Sequence, residues 1–258
     1  MSKTKFKKII KWICLILLVA LIGAGIAFKI YTSKYYRADE ATINVIKEKY
    51  KDTVRSYSDN KGEVFLPVDK DIRAVIVFYP GGKVEYTAYE GLMYELADRG
   101  IVCLLPKMPE NLAFFRLNAV ESIQKGYEEE TALADGVDWY LAGHSLGGAA
   151  AAKYLSKNVD SDKNYKGLIL CASYSVDDLS DTDYRLLSIY GSNDRVLNMI
   201  SYRLNKRNWP KDATEIVFGG GIHSYFGCYG IQNGDGKPGL TNLEQIERTA
   251  EYISNWID

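Results

Sequence analysis

The segment Trp139-Tyr140-Leu141-Ala142-Gly143-His144-Ser145-Leu146-Gly147-Gly148, followed by an alanine-rich run to Leu155, reads as a strand, a sharp turn carrying a serine, and a helix. Glycines two places either side of Ser145 are what such a turn demands. The serine is forced into a strained backbone conformation, and side chains at the flanking positions would collide with the neighbouring strand and helix. The hydroxyl is thereby lifted above the edge of a sheet, the arrangement called a nucleophile elbow. A chain built around it needs strands that alternate with helices. Apolar runs at 63–66, 74–79, 101–105, 138–142, 167–172, 186–190 and 214–217 supply them, with helical segments between. The pattern predicts an α/β fold, a mostly parallel sheet covered by helices on both faces.

A serine so placed requires a base and an acid, in the chain order Ser, Asp or Glu, His. The sequence contains two histidines. His144 lies inside the turn, where its side chain is expected to point away from the working side of the hydroxyl, so His223 is the candidate base. It follows the strand at 214–217 on a glycine-rich loop, at the strand end where open α/β sheets carry their sites. For the acid we choose Asp194, which follows the buried-strand run 186–190. Its role would be to accept a hydrogen bond from one imidazole nitrogen and to stabilise the imidazolium. Asp177 or Asp178, after the preceding strand, is the runner-up. Backbone donors are expected to hold the oxyanion of a tetrahedral intermediate. One is the amide of Leu146, and the other is Gly82 or Lys83 in the loop Pro80-Gly81-Gly82-Lys83.

With these blocks in place the chain resembles the α/β-hydrolase superfamily, and within it a group of small, mostly uncharacterised bacterial hydrolases. The resemblance is carried by Phe78-Tyr79-Pro80-Gly81-Gly82-Lys83-Val84, Met108-Pro109-Glu110-Asn111-Leu112-Ala113, Ala142-Gly143-His144-Ser145-Leu146-Gly147-Gly148, Ser188-Ile189-Tyr190-Gly191 with Asp194, and His223 followed by Phe226-Gly227-Cys228-Tyr229-Gly230. It implies a serine-hydrolase triad, landing on Ser145, Asp194 and His223. It also implies an oxyanion hole at Leu146 and the Gly81 to Lys83 loop. Most such proteins carry Asn or Asp immediately before the catalytic histidine, whereas this chain has Ile222.

Residues 12–28 contain no charged side chain and are flanked by Lys11 and Lys29. At 1.5 Å per residue the run covers roughly 26 Å, and snorkelling lysines extend it across a ~30 Å hydrocarbon layer. Lysines 3, 5, 7, 8 and 11 precede it, while Lys29, Lys34 and Arg37 follow. The positive-inside rule then predicts a cytoplasmic N-terminus and an extracytoplasmic domain. A cleaved signal peptide is the competing reading, with Gly25-Ile26-Ala27 weakly resembling a cleavage site. The run is long for that role.

The resulting organisation is a basic N-terminus at 1–11, a transmembrane anchor at 12–28, a stalk and first elements at 29–60 with a helix-compatible stretch at 38–51, and the catalytic domain at 61–258. Lys and Arg total 32 against 33 Asp and Glu. That balance, with no basic stripe interleaved with aromatics, argues against a nucleic-acid partner. Cys14 falls in the apolar run and Cys103 and Cys171 in strands. No disulfide framework or metal-ligand spacing is evident, and Cys228 reads as structural. Asn233-Gly234-Asp235-Gly236 does not fit a calcium loop, because Lys237 and Pro238 occupy a ligand and a glycine position; it reads as a plain loop beside His223. About a dozen residues separate Ala172 from Leu186, too few for a cap domain. Phe114, Phe115, Tyr86 and Tyr89 are candidates to line an acyl or aromatic pocket. Thr241 and Glu244 form a capping box for the last helix. The expected activity is hydrolysis of a small-molecule ester or acyl substrate, without cofactor or metal. Peptidase or amidase chemistry with the same triad, and a catalytically silent binding module, are the alternatives.

Overall fold

Along the strand Ala74–Tyr79 every residue is buried, and alternate side chains enter different cores, as the period of two in a pleated strand requires. Ile76 and Phe78 point into one, Val75, Val77 and Tyr79 into the other. A strand with both faces covered must sit in the middle of a sheet sandwiched between helices.

The computed structural model describes residues 3–132, 134, 136–159 and 165–258. The chain divides into two units, Met1–Tyr35 and Tyr36–Asp258. The first is the helix α1 (Lys3–Ser33). Its segment Ile10–Ser33 has a mean hydropathy of 2.7, and its apolar side chains are exposed. By length and composition it is able to cross a membrane, and it is longer at both ends than the uncharged run 12–28 alone. Met1 and Ser2, the start of the expected basic N-terminus, lie outside the described residues.

The second unit opens with α2 (Glu40–Lys49), capped by Asp39 through the Thr42 amide. Then come β1 (Val54–Ser58), β2 (Gly62–Pro67), β3 (Ala74–Tyr79), α3 (Glu90–Ala97), β4 (Ile101–Pro106), α4 (Ala119–Gly126) and α5 (Glu128–Ala132). The chain continues through β5 (Asp138–His144), α6 (Leu146–Lys157), β6 (Tyr165–Cys171), β7 (Arg185–Gly191), α7 (Met199–Asn205), β8 (Asp212–Phe218) and α8 (Asn242–Ile257). The eight strands run in the order β1-β2-β4-β3-β5-β6-β7-β8. Among the described residues only the pairs β1–β2 and β2–β4 are antiparallel. One core joins α2, α3 and α8 to the sheet through Ile43, Ile46, Leu92, Leu96, Ile246 and Ile253. The other joins α4 and α6 through Val120, Ile123, Ala150, Ala151 and Leu155.

Of residues 29–60, read from the sequence as stalk and first elements, 36–60 belong to this unit and supply α2 and β1. The strand β1, Val-Arg-Ser-Tyr-Ser, lacks the apolar content that marks the other strands, and the sequence reading did not single it out. It forms because Asp59 Oδ1 accepts the Lys61 and Gly62 amides at 2.7 and 3.1 Å, closing a tight turn against β2. The connection 172–184 between β6 and β7 contains no helix or strand, in accord with an uncapped fold. The capping box of α8 is present, with Thr241 and Glu244 exchanging side-chain and backbone bonds.

Candidate active site

Ser145 has φ 51° and ψ −122°, a conformation that side chains rarely adopt. It is held there by close packing of backbone on backbone. A Cβ at Gly147 would fall 2.1 Å from the Tyr79 carbonyl oxygen, and one at Gly143 would fall 2.6 Å from the Gly147 carbonyl carbon. Glycine at 143 lets the end of β5 close on the start of α6, and glycine at 147 lets that helix start rest on the end of β3. The Ser145 amide donates to the Cys171 carbonyl at 3.0 Å, and the Ser173 hydroxyl donates to the Ser145 carbonyl at 2.6 Å.

Asp194 and His223 leave neighbouring parallel strands, whose last paired residues are Gly191 and Phe218. The Asp194 side chain folds back on its own turn, Oδ1 accepting the Val196 and Leu197 amides at 2.8 Å each. Its other oxygen lies 2.9 Å from His223 Nδ1, and the two side chains are 0% and 2% exposed. With Oδ2 as acceptor, Nδ1 carries the hydrogen and Nε2 is left as the basic nitrogen. His223 and Ser145 both line a cleft of about 320 Å³, together with Phe114, Leu146, Val176 and Leu197. The runner-up carboxylates are engaged elsewhere. Asp177 accepts from Lys153 Nζ at 3.2 Å, and Asp178 accepts the Ser180 amide at 2.9 Å.

Of the amides in the loop after β3, Gly81 N–H donates to the Tyr89 hydroxyl at 3.0 Å and Lys83 N–H to the Asn111 carbonyl at 2.8 Å. Gly82 N–H makes no hydrogen bond among the described residues. Of the two candidates for the second oxyanion donor, the geometry therefore favours Gly82 over Lys83. A Cβ at Gly82 would lie 2.7 Å from Leu146 Cδ2, so the loop abuts the residue after the serine. Leu146 opens α6, and the amides of a helix's first turn have no intrahelical acceptor.

Residues 75–247 match the family described as Alpha/beta hydrolase family, a span that includes all of these positions. The chain belongs to the alpha/beta hydrolase family. No curated protein matches the sequence.

The parts that three residues play around this site did not follow from the sequence. Asp235, in the loop read as a plain turn, accepts the His223 amide at 3.2 Å and the Gly236 amide at 2.8 Å through Oδ1. Through Oδ2 it accepts the Ser224 amide at 2.8 Å, and the Ser224 hydroxyl as well. Burial works against its charge, but these donors outweigh it and hold its pKa below the ordinary value of 3.8. Gln245 of α8, fully buried, brackets Ile222 with its side chain, accepting from the amide at 3.0 Å and donating to the carbonyl at 2.8 Å. The histidine loop is thus fastened on both sides. An Asp in a turn-forming cluster is a local signal for accepted amides, but that the amides include that of His223 depends on tertiary structure. The third is His144, whose ring packs against His223 with centroids 4.5 Å apart.

Of the pocket aromatics, Phe114 lines the cleft while Tyr86 and Phe115 do not. Tyr89 is buried in the core. Cys103, Cys171 and Cys228 are buried free thiols. Among the described residues no group of three or more His, Cys, Asp or Glu side chains is arranged to hold a metal ion.

Proposed function

We propose that the protein is a membrane-anchored serine hydrolase that cleaves carboxylic ester or thioester bonds through an acyl-enzyme at Ser145. The observation that carries this reading is the buried Asp194–His223 pair opening onto the same cleft as the strained Ser145. In the proposed reaction Ser145 Oγ attacks the substrate carbonyl carbon while His223 Nε2 takes the hydroxyl proton. Asp194 keeps the hydrogen on Nδ1 and stabilises the imidazolium. The Leu146 and Gly82 amides bind the oxyanion. Collapse of the tetrahedral intermediate expels the alcohol or thiol, which receives its proton from His223. Water, activated by the same ring, then releases the acid and restores Ser145. Among the described residues the Ser145 hydroxyl has no hydrogen-bond partner, and its contact with His223 is expected to close in the substrate complex.

The cleft lining carries no Asp, Glu, Lys or Arg side chain, which favours uncharged acyl groups over charged peptides, since an unpaired charge is costly to desolvate. For the N-terminal helix we propose a retained anchor over residues 12–28, with the basic residues 1–11 in the cytoplasm and the catalytic domain outside it. The excess of lysine before the apolar run supports this orientation.

The test is labelling with a fluorophosphonate. The enzyme should react at Ser145, and Ser145→Ala should abolish the adduct. His223→Ala should lower kcat for p-nitrophenyl esters by roughly 10⁴ to 10⁶. No adduct on the folded protein, or turnover near wild type in the His223 variant, overturns the mechanism and leaves the fold as a binding module.

A further inference from the structure

Directly behind the turn after β3, two groups share one buried hydroxyl. The Gly81 amide donates to Tyr89 Oη at 3.0 Å, and the same oxygen lies 2.8 Å from His144 Nδ1. A phenol has one proton to give. With the amide already donating, that proton goes to Nδ1, because a buried hydroxyl hydrogen without an acceptor is costly. His144 then carries its hydrogen on Nε2, a buried atom with no hydrogen-bond partner among the described residues. The other tautomer would leave both the phenol hydrogen and Nε2 unpaired, so Nδ1 is the acceptor. Tyr89 and His144 are both closed off from solvent. Burial, with His223 adjacent, pushes the His144 pKa well below its ordinary range and keeps the ring neutral. The backbone at Gly81 rests directly on this pair. A Cβ there would fall 2.6 Å from Tyr89 Oη and 2.7 Å from His144 Nδ1.

We propose that Tyr89 and His144 are positioning residues which pin the oxyanion loop of this hydrolase to the strand that carries the nucleophile. The proposal rests on the serine-hydrolase reading above. His144 is the residue immediately before Ser145, so a single imidazole links the nucleophile's strand to the loop that faces it. Gly81 spends its amide inward on Tyr89 and Lys83 spends its amide on Asn111, which fastens the loop on both sides of Gly82. The Gly82 amide is the donor left between the two anchors, next to Leu146. Donors fixed before charge develops stabilise an oxyanion without reorganising, and removing one outright lowers kcat by about 10² to 10³. Loosening one by removing its anchor should cost less, and should act on the transition state rather than on substrate binding.

The experiment uses the full chain in detergent, with p-nitrophenyl butyrate as substrate and an alkyl trifluoromethyl ketone as a probe that forms an oxyanion adduct with serine. Tyr89→Phe and His144→Leu remove the link. His144→Asn retains an acceptor, because its Oδ1 takes the place of Nδ1. The first two variants should lower kcat roughly 10- to 100-fold with KM within about twofold, the signature of an interaction made only in the transition state. Their affinity for the ketone should fall by the same factor. His144→Asn should stay within about threefold of wild type in both measurements. Wild-type protein that forms no fluorophosphonate adduct would remove the hydrolase reading and this proposal together. If wild type is labelled at Ser145 but the link variants keep their kcat and ketone affinity, the reading stands and the proposal is wrong. The proposal is equally overturned if His144→Asn is impaired as much as His144→Leu. Should Tyr89→Phe not fold, the two His144 variants decide the matter, with thermal melts as the control for folding.

Discussion

Asp194 Oδ2 and His223 Nδ1 stand 2.9 Å apart with essentially no solvent on either side chain, while Asp194 Oδ1 is bound by the Val196 and Leu197 amides. The carboxylate is held at both oxygens, so it can orient the imidazole in only one way. In Asp194→Asn an amide nitrogen placed at Oδ2 would donate to Nδ1 and force the hydrogen onto Nε2, the wrong tautomer for a base. The variant is expected to fold and to lose about 10⁴ in kcat. Stopped assays with p-nitrophenyl butyrate check this, and a loss of less than tenfold would show that Asp194 is not the acid.

Asp235 fastens the His223 loop through the His223 and Ser224 amides and the Ser224 hydroxyl, and replacing it leaves these donors short of partners. Asp235→Ala is expected to lose about 1–3 kcal/mol of stability and to lower kcat with little change in KM. A carboxylate whose folded pKa is depressed stabilises the native state above its unfolded value, and that contribution disappears as pH falls through the folded value. Wild type should therefore lose part of its stability on acidification below the ordinary value of 3.8. Asp235→Asn should lack that component. Melting temperatures measured from pH 5 to pH 3 compare them, and parallel curves would contradict the assignment.

Gly147 gives a sharper test of the turn. Its hypothetical Cβ lies 2.1 Å from Tyr79 O and 2.4 Å from Pro80 O, both backbone atoms that cannot swing aside. Gly147→Ala should be destabilised by about 3 kcal/mol or more, a fall in Tm of roughly 6–12 °C for a chain of this size. Gly219→Ala, whose Cβ meets nothing within 4 Å, is the control and should melt near wild type. Equal melting of the two variants would show that the turn is looser than its geometry implies.

The turn and the strands that feed it were legible because their requirements are local. Ser145 needs glycines at fixed offsets, and 74–79 is apolar at every position because both faces of β3 are covered. The order of Ser145, Asp194 and His223 follows from which strand each residue ends. What escaped was decided by partners distant in sequence. The Lys83 amide looked as available as that of Gly82 until Asn111, 28 positions away, was seen to bind it. Asp235 looked like an ordinary turn residue because its role depends on where the His223 loop comes to rest. β1 was missed because Arg55, Ser56 and Ser58 give an edge strand no apolar signature. His144 was read only by its place in the turn, and its contact with Tyr89 spans 55 residues.

The boundary between the N-terminal helix and the α/β-hydrolase domain can be tested by truncation. Tyr36 belongs to the second unit. Its amide donates to Lys83 O at 2.8 Å, its carbonyl accepts from Glu85 N at 2.9 Å, and its hydroxyl accepts from Asn233 N at 3.0 Å. These bonds brace the loop that carries Gly82 and tie it to the segment that leads to Asp235. A chain begun at Lys34 keeps all of them and should be released from the membrane fraction with kcat within about twofold of the full protein. A chain begun at Asp39 loses them. At a net value of about 1 kcal/mol per hydrogen bond it should lose about 3 kcal/mol, and melt roughly 6–12 °C lower. Its kcat should fall further than its KM rises, because the disturbed loop is the one proposed to hold the oxyanion. The full chain, whose segment Ile10–Ser33 exposes its apolar side chains along its whole length, should stay in the membrane pellet after a high-salt or alkaline wash. A mature N-terminus mapped just after Ala27 would show instead that the helix is a leader removed on export, and full activity in the chain begun at Asp39 would show that Tyr36 is no brace.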